Sequence, residues 1–502
     1  MERSAGILLP VASLPSPHGI GTMGAAAREF VDFLAASGQS WWQVLPVGPT
    51  SYGDSPYQSP SAFAGNPYLI DLDQLVDDGL LTQDEVDAPA WGDDPASVDY
   101  ELLYRNRMPL LRLAYQRGWE RDAQAVAAFV SANEEWLPDY ALFMAVKAHF
   151  GMTAWTEWPD EGIRLHHEDA VARWREELAD DIRLHTYVQF LFFRQWEALR
   201  AYAHDHGIGI IGDLPIYVAL DSSDVWASPE LFQLDEKNVP VEVAGVPPDA
   251  FTEDGQLWGN PLYDYDAMAA DGYGWWIRRI GGVAKLFDVI RIDHFRGFES
   301  YWAVPYGATT AKDGRWVKGP GMSLVSVLKD WYPYLRFIAE DLGYATPEVA
   351  QLLADSGFPG MRVLEFAFDS RDESGSSYLP HNYPRNCVCY IGTHDNEPLA
   401  AWAQEADEDD LALATRYLGL NEEEGLAWGF VRAGMGSVAD LFVAQMQDYL
   451  ELGPEARTNT PGTLGGNWRW RMTGGQASPE LADRIATMTH MYGRSAGHTW
   501  QK

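Results

Sequence analysis

Short apolar runs recur along the chain with helical stretches between them, and this alternation does most to narrow the possible folds. Runs at Gly6–Pro10, Trp41–Val47, Ile208–Pro215, Phe287–Asp293, Leu335–Asp341, Met361–Phe366, Cys387–Thr393 and Leu441–Gln447 read as strands. Strands that alternate with helices build parallel sheets, because a parallel pair needs a crossover and a helix is the usual one. Eight such βα units predict closure into an α/β fold, the (β/α)8 TIM barrel, and a chain of 502 residues has room for one with elaborations.

The interval from Val47 to Ile208 is too long for a single crossover. Within it, Glu101–Gly118, Arg121–Trp136, Leu137–His149 and Ile182–His206 carry apolar residues at three- and four-residue spacing, the signature of helices. A largely helical insertion after the second strand is therefore expected. Its last helix should stop near Gly207, before the chain re-enters the barrel. The expected division is a catalytic barrel from 1–48 and 201–502, with 49–200 as a mostly helical inserted subdomain.

Charge narrows the partners. With 36 basic against 73 acidic residues and a net charge of −37, the chain is poorly suited to phosphate backbones, so no nucleic-acid partner is expected. No apolar run reaches the length of a membrane span, and no charged n-region leads into an apolar stretch at the N-terminus. The expectation is a cytoplasmic enzyme without a membrane partner. Cys387 and Cys389 lie two apart on one expected strand, too close for an unstrained disulfide and too few for a structural zinc site, so they are expected to be reduced core thiols. The 21 Trp and 24 Tyr fit a cleft that stacks aromatic faces on sugar rings, although large cores use the same residues.

Four of the expected strands end in carboxylates: Asp213 after Ile211-Gly212, Asp293 after Arg291-Ile292, Glu340-Asp341 after Ala339, and Asp395 after Thr393-His394. A single Asp at such a place is usually a loop starter or a helix cap. Four on different strands, flanked by Arg and His, converge on the one face of a barrel where the carboxyl ends of the strands meet. Glycoside cleavage needs this kind of set, with one carboxylate attacking the anomeric carbon and a second carboxylic acid protonating the leaving oxygen. Arg291 shares a strand face with Asp293 and is expected to hold it ionised as the nucleophile. Glu340 follows the apolar Phe337-Ile338-Ala339, a setting that favours a protonated acid. His394-Asp395 offers hydrogen bonds to sugar hydroxyls.

The segment Phe287-Asp288-Val289-Ile290-Arg291-Ile292-Asp293-His294-Phe295-Arg296-Gly297 resembles the nucleophile region of the amylomaltases, the 4-α-glucanotransferases of glycoside hydrolase family 77. The likeness continues through Ser55-Pro56-Tyr57-Gln58-Ser59, Gly212-Asp213-Leu214-Pro215, Gln256-Leu257-Trp258-Gly259-Asn260-Pro261, Ala339-Glu340-Asp341-Leu342-Gly343, Thr393-His394-Asp395-Asn396, Asn459-Thr460-Pro461-Gly462-Thr463 and Asn467-Trp468-Arg469-Trp470-Arg471, in order along nearly the whole chain. The resemblance implies transfer of α-1,4-glucan segments between maltooligosaccharides, with glucose as an acceptor and no cofactor or metal. It implies Asp293 as nucleophile, Glu340 as general acid/base and Asp395 as the carboxylate that stabilises the transition state. Asp213, Arg291, His294 and His394 then line the donor site, and Tyr57 and Trp258 lie near the glucan.

The resemblance also implies a loop over the cleft, here about Val246 to Asn260, in which Ala250-Phe251 stands where many relatives carry two aromatics. A cover that excludes water decides whether a glucosyl enzyme is resolved by water or by a sugar. Hydrolysis or debranching through the same carboxylates, and glucan binding without catalysis, are the competing functions. Gly19-Ile20-Gly21-Thr22-Met23-Gly24 meets the G-x-G-x-x-G pattern, but Pro15 and Pro17 separate it from the first strand and the second strand ends Leu45-Pro46-Val47. The dinucleotide fingerprint also wants a tight turn off the first strand and an acidic residue ending the second, so nucleotide binding is not expected.

Overall fold

A computed structural model describes residues 2–248, 253–343, 346–371 and 376–495. Eight parallel strands form one sheet: β1 (Ser4–Leu8), β2 (Trp41–Gln43), β3 (Gly209–Leu214), β4 (Val289–Ile292), β5 (Arg336–Ala339), β6 (Gly360–Val363), β7 (Cys387–Tyr390) and β8 (Leu441–Gln445). Each falls on one of the eight expected runs. The order is β6-β7-β8-β1-β2-β3-β4-β5, so chain order becomes barrel order once β8 pairs with β1. The seam between β5 and β6 is drawn together by two bonds. Ala339 N donates to Pro359 O (2.9 Å), and Met361 N donates to Asp341 Oδ1 (2.7 Å). Asp341, one of the strand-end carboxylates, is spent on this join.

Alternation along the strands explains why the barrel is filled. Leu8, Trp41, Ile211, Val289, Ile338, Met361, Val363, Val388, Tyr390, Leu441 and Val443 point inward and pack into one cluster to which every strand contributes. Their neighbours Ile7, Trp42, Ile210, Ile290, Phe337, Cys387, Cys389 and Phe442 point outward into the layer beneath the helices. The indole of Trp41 fits inside only because Gly6 lies against it. A Cβ on Gly6 would sit 2.7 Å from the Trp41 Cβ, and the indole N–H instead reaches Ser4 Oγ at 3.1 Å.

Between β2 and β3 the chain forms a run of helices that includes Tyr100–Gly118, Ala123–Ala132, Leu137–His149 and Ala179–Asp205. The last of these is 27 residues long and carries the chain back to the barrel. Trp196 Nε1 donates to Leu286 O (3.1 Å) and Tyr202 donates to Asp32 (2.7 Å), which ties it to the helix before β4 and to the helix before β2.

Glu242–Val246, Gln256–Pro261, Ser300–Pro305 and Arg315–Lys318 form a second, antiparallel sheet near the end of β4. The expected covering loop is therefore strand at both its ends, and Gly255 (φ 67°) makes the turn where a side chain would meet Val246 O at 2.4 Å. The Ala250-Phe251 departure lies outside the described residues. The glycine-rich stretch before the helix Ala25–Ala36 has a packing use. A Cβ on Gly24 would lie 2.0 Å from Asp71 Oδ2, the same oxygen that accepts from Thr22 Oγ1 at 2.6 Å, while Asp71 Oδ1 caps the helix Leu72–Asp77.

Because Gly6 yields its space to Trp41, Gly6→Val forces two inward groups apart. It is expected to lower stability by about 1–3 kcal/mol, the usual cost of overpacking, read as a lower midpoint in denaturant unfolding.

Candidate active site

The carboxyl ends of β3, β4, β5 and β7 bring Asp213, Arg291, Asp293, Glu340, His394 and Asp395 to one face of the barrel. The register sets the first contact. Asp213 and Arg291 are direct partners across β3 and β4, with side chains on the same side. Arg291 Nη1 donates to Asp213 Oδ1 (2.7 Å) and Oδ2 (2.6 Å), and to Asp293 Oδ1 (2.9 Å) two residues along its own chain. Tyr57, arriving from the loop after β2, donates its hydroxyl to Asp213 Oδ2 (2.8 Å). The Asp213 side chain is fully covered and that of Arg291 is 3% exposed, whereas Asp293 keeps 27%. Asp213 and Arg291 thus lie beneath the cleft and brace Asp293. Both are residues expected at the donor site, and Arg291 Nη1 links them to the nucleophile.

Burial raises the carboxyl of Asp293 well above its ordinary value, Arg291 opposes this, and the charges of Asp213, Glu340 and Asp395 add to it. The guanidinium is in place, but it is shared with Asp213 and the cleft is crowded with acids. Burial likewise pushes Glu340 up to about 7, against the pull of Arg291 and of two backbone donors. Glu340 Oε2 accepts from His294 N (2.8 Å) and Oε1 from Leu342 N (2.7 Å). The proton that two crowded acids share belongs to the pair. Arg291 makes its charge-assisted bond to Asp293 and not to Glu340, which favours the proton on Glu340.

His294 adopts a left-handed backbone (φ 52°, ψ 44°), a conformation costing a non-glycine residue about 1–2 kcal/mol. The bend aims its N–H at Glu340. Burial lowers the imidazole to about 3, with Arg296 adding to the effect, so the ring is neutral at physiological pH. Its Nε2 is buried with no partner among the described residues, and Trp258 stands edge-on to the ring at 4.8 Å.

On the opposite side, the His394 ring stacks on Tyr57 (5.4 Å between centroids) with Nε2 2.8 Å from the phenol oxygen. The single phenol proton goes to the Asp213 carboxylate, so Nε2 carries the hydrogen and Nδ1 is left as an acceptor. Nδ1 is likewise buried without a partner among the described residues. His394 Nε2 also lies 3.4 Å from Asp395 Oδ2.

Three site residues are not among those singled out from the sequence. Asn459 donates to Asp395 Oδ1 (2.7 Å), Arg457 donates to Asp395 O (3.1 Å), and Trp468, with left-handed backbone (φ 64°), lies 5.7 Å from Tyr57 and 6.1 Å from His394. Asn459 and Trp468 fall inside stretches that carry the family resemblance, and that was the available signal. Arg457 lies just outside, in a segment with no distinguishing pattern.

Removing the guanidinium leaves Asp213 buried beside other acids. Arg291→Met is expected to cost about 3–5 kcal/mol of stability in addition to activity, measured by denaturant unfolding.

A family model described as 4-alpha-glucanotransferase, glycoside hydrolase family 77, matches residues 9–477. The 4-alpha-glucanotransferase of Streptococcus pneumoniae is 48% identical over 495 residues, 98% of each chain, and that of Clostridium butyricum is 46% identical over 486 residues, 96% of this chain and 99% of that protein. Among solved structures, an amylomaltase from Streptococcus agalactiae in complex with acarbose superposes with a TM-score of 0.96 at 41% identity, over 98% of this chain and all of that one. The chain belongs to glycoside hydrolase family 77, the 4-alpha-glucanotransferases.

Proposed function

We propose that this chain is itself a 4-α-glucanotransferase that cuts an α-1,4-glucosidic bond and passes the glucan segment to the 4-OH of glucose or of another maltooligosaccharide. The observation that carries the proposal is the pairing of two carboxyls in unlike settings, Asp293 bonded to a buried guanidinium and Glu340 held by the backbone N–H groups of His294 and Leu342. Family membership supports it independently.

In the proposed double displacement, an Asp293 oxygen attacks C1 of the donor sugar while the C1–O4 bond breaks, and the Glu340 proton passes to the departing O4. The Glu340 carboxylate then takes the proton of the acceptor 4-OH, whose oxygen attacks C1 and breaks the ester to Asp293. Asp395 accepts hydrogen bonds from ring hydroxyls that tighten in the transition state. The unpartnered His294 Nε2 and His394 Nδ1 bind hydroxyls as neutral groups, and Tyr57 and Trp258 supply aromatic surface beside the glucan. Asp213 and Arg291 serve the donor site from beneath. The reaction needs no cofactor or metal.

Two further parts of the proposal are that 49–200 is a mostly helical subdomain inserted in a barrel of 1–48 and 201–502, and that the enzyme is cytoplasmic. The second is consistent with the buried, unpaired thiols Cys387 and Cys389. Among the described residues no helix is long and apolar enough to cross a membrane.

Incubation with maltotriose alone is expected to yield glucose together with maltotetraose and longer chains, and Asp293→Asn or Glu340→Gln should abolish this. Glucose and maltose as the sole products would make the enzyme a hydrolase. The value near 7 for Glu340 gives a pH test as well. The acid works only when protonated, so kcat/KM should fall as pH rises through about 7. With α-maltosyl fluoride, whose leaving group needs no proton, Glu340→Gln should recover fluoride release and lose that basic limb. A limb that persists unchanged in the variant would assign the titration to another group.

A further inference from the structure

Asp395 lies beyond the end of β7, outside the reach of the ladder, and its side chain is 39% exposed, open enough to adopt other rotamers. Its placement comes from the loop after β8. Asn459 Nδ2 donates to Asp395 Oδ1 (2.7 Å), and Asn459 N donates to His394 O (3.1 Å). Arg457 spreads its guanidinium over three acceptors: Nη2 to Asp395 O (3.1 Å), Nε to Asn459 O (2.9 Å), and Nη1 to Glu397 Oε2 (3.0 Å). One planar cation thereby fixes the backbone on both sides of the bond between Asn459 and the Asp395 carboxylate. Lysine, a point charge on a flexible stem, could hold only part of this.

We propose that Arg457 and Asn459 are positioning residues for glucan transfer, locking the loop after β8 onto the loop after β7 and fixing the orientation in which Asp395 presents Oδ2 to the donor sugar. The proposal rests on the assignment of Asp395 to the transition state. With Oδ1 occupied by Asn459, Oδ2 is the oxygen left to meet ring hydroxyls, beside His394 Nε2 at 3.4 Å. Hydrogen bonds that tighten as the ring flattens are sensitive to placement, and small misplacement of a catalytic group costs up to about 100-fold. The loss should appear in kcat, because binding of the ground-state sugar relies on the rest of the cleft.

The test compares Asn459→Ala, Arg457→Met, Arg457→Lys, Asp395→Ala and the double variant Asn459→Ala with Asp395→Ala. Maltotriose disproportionation gives kcat and KM, and fluoride release from α-maltotriosyl fluoride keeps the slow variants measurable. Asn459→Ala and Arg457→Met are expected to lower kcat by on the order of 10- to 100-fold, with a much smaller change in KM and with Arg457→Lys intermediate. In the Asp395→Ala background, Asn459→Ala should cost almost nothing further, because its target is already gone. An equal cost in both backgrounds, as general damage to the fold would give, overturns the proposal, as does a raised KM with unchanged kcat. Wild-type kcat in Asp395→Ala would instead remove the assignment on which the proposal stands.

Discussion

The face of the barrel that carries the carboxylates depends on one buried guanidinium. Arg291 lies between Asp213 and Asp293, with its position set by the β3–β4 register and its charge fixed at any physiological pH. Without it, Asp213, Asp293, Glu340 and Asp395 would form an acidic cluster with little to offset its self-repulsion. A protein with a net charge of −37 adds no broad positive field to help. The cation makes the cluster tolerable, and it does so unevenly, since it bonds to Asp293 and not to Glu340. That asymmetry is the physical origin of two acids with different protonation in one cleft.

The turn out of β4 is shaped around the second acid. Glu340 N donates to Ile292 O (3.0 Å), Phe295 N donates to Glu340 O (3.1 Å), and the left-handed His294 delivers its N–H to the Glu340 carboxyl (2.8 Å). Backbone from the nucleophile strand thus wraps around the acid of the next strand, so neither can shift without the other. The strain in His294 is stored where this coupling needs it.

Much of the fold was legible because barrel strands are buried on both faces and read as apolar runs, and the strand-end acids were legible because βα loops begin where those runs stop. The antiparallel sheet over 242–318 was hidden. Its strand Gln256-Leu257-Trp258-Gly259-Asn260-Pro261 mixes polar residues, glycine and proline, so neither period nor propensity marks it. The abundance of tryptophan also pointed less directly at sugar than composition implied. Trp42, Trp155, Trp158, Trp196, Trp226, Trp276 and Trp428 are fully buried and hold the core together, while Trp258 and Trp468 are the ones that meet the histidines of the site. The sharing of Arg291 between Asp293 and Asp213 was not legible, because it arises only when β3 and β4 pair.

The asymmetry between the two sides of the cleft follows from the same geometry. Asp293 and Glu340 stand directly on strand ends and inherit the rigidity of the sheet, which suits groups that must make and break bonds at one atom. Asp395 stands on a loop and borrows its rigidity from Asn459 and Arg457, with Tyr57, His394 and Trp468 packed alongside. Tyr57 joins the sides, since its hydroxyl bonds both Asp213 beneath the nucleophile and His394 beside Asp395. A disturbance at either side is therefore felt at the other through a single phenol, and the order of the loop side matters to the chemistry although no atom of Arg457 reaches the reacting bond.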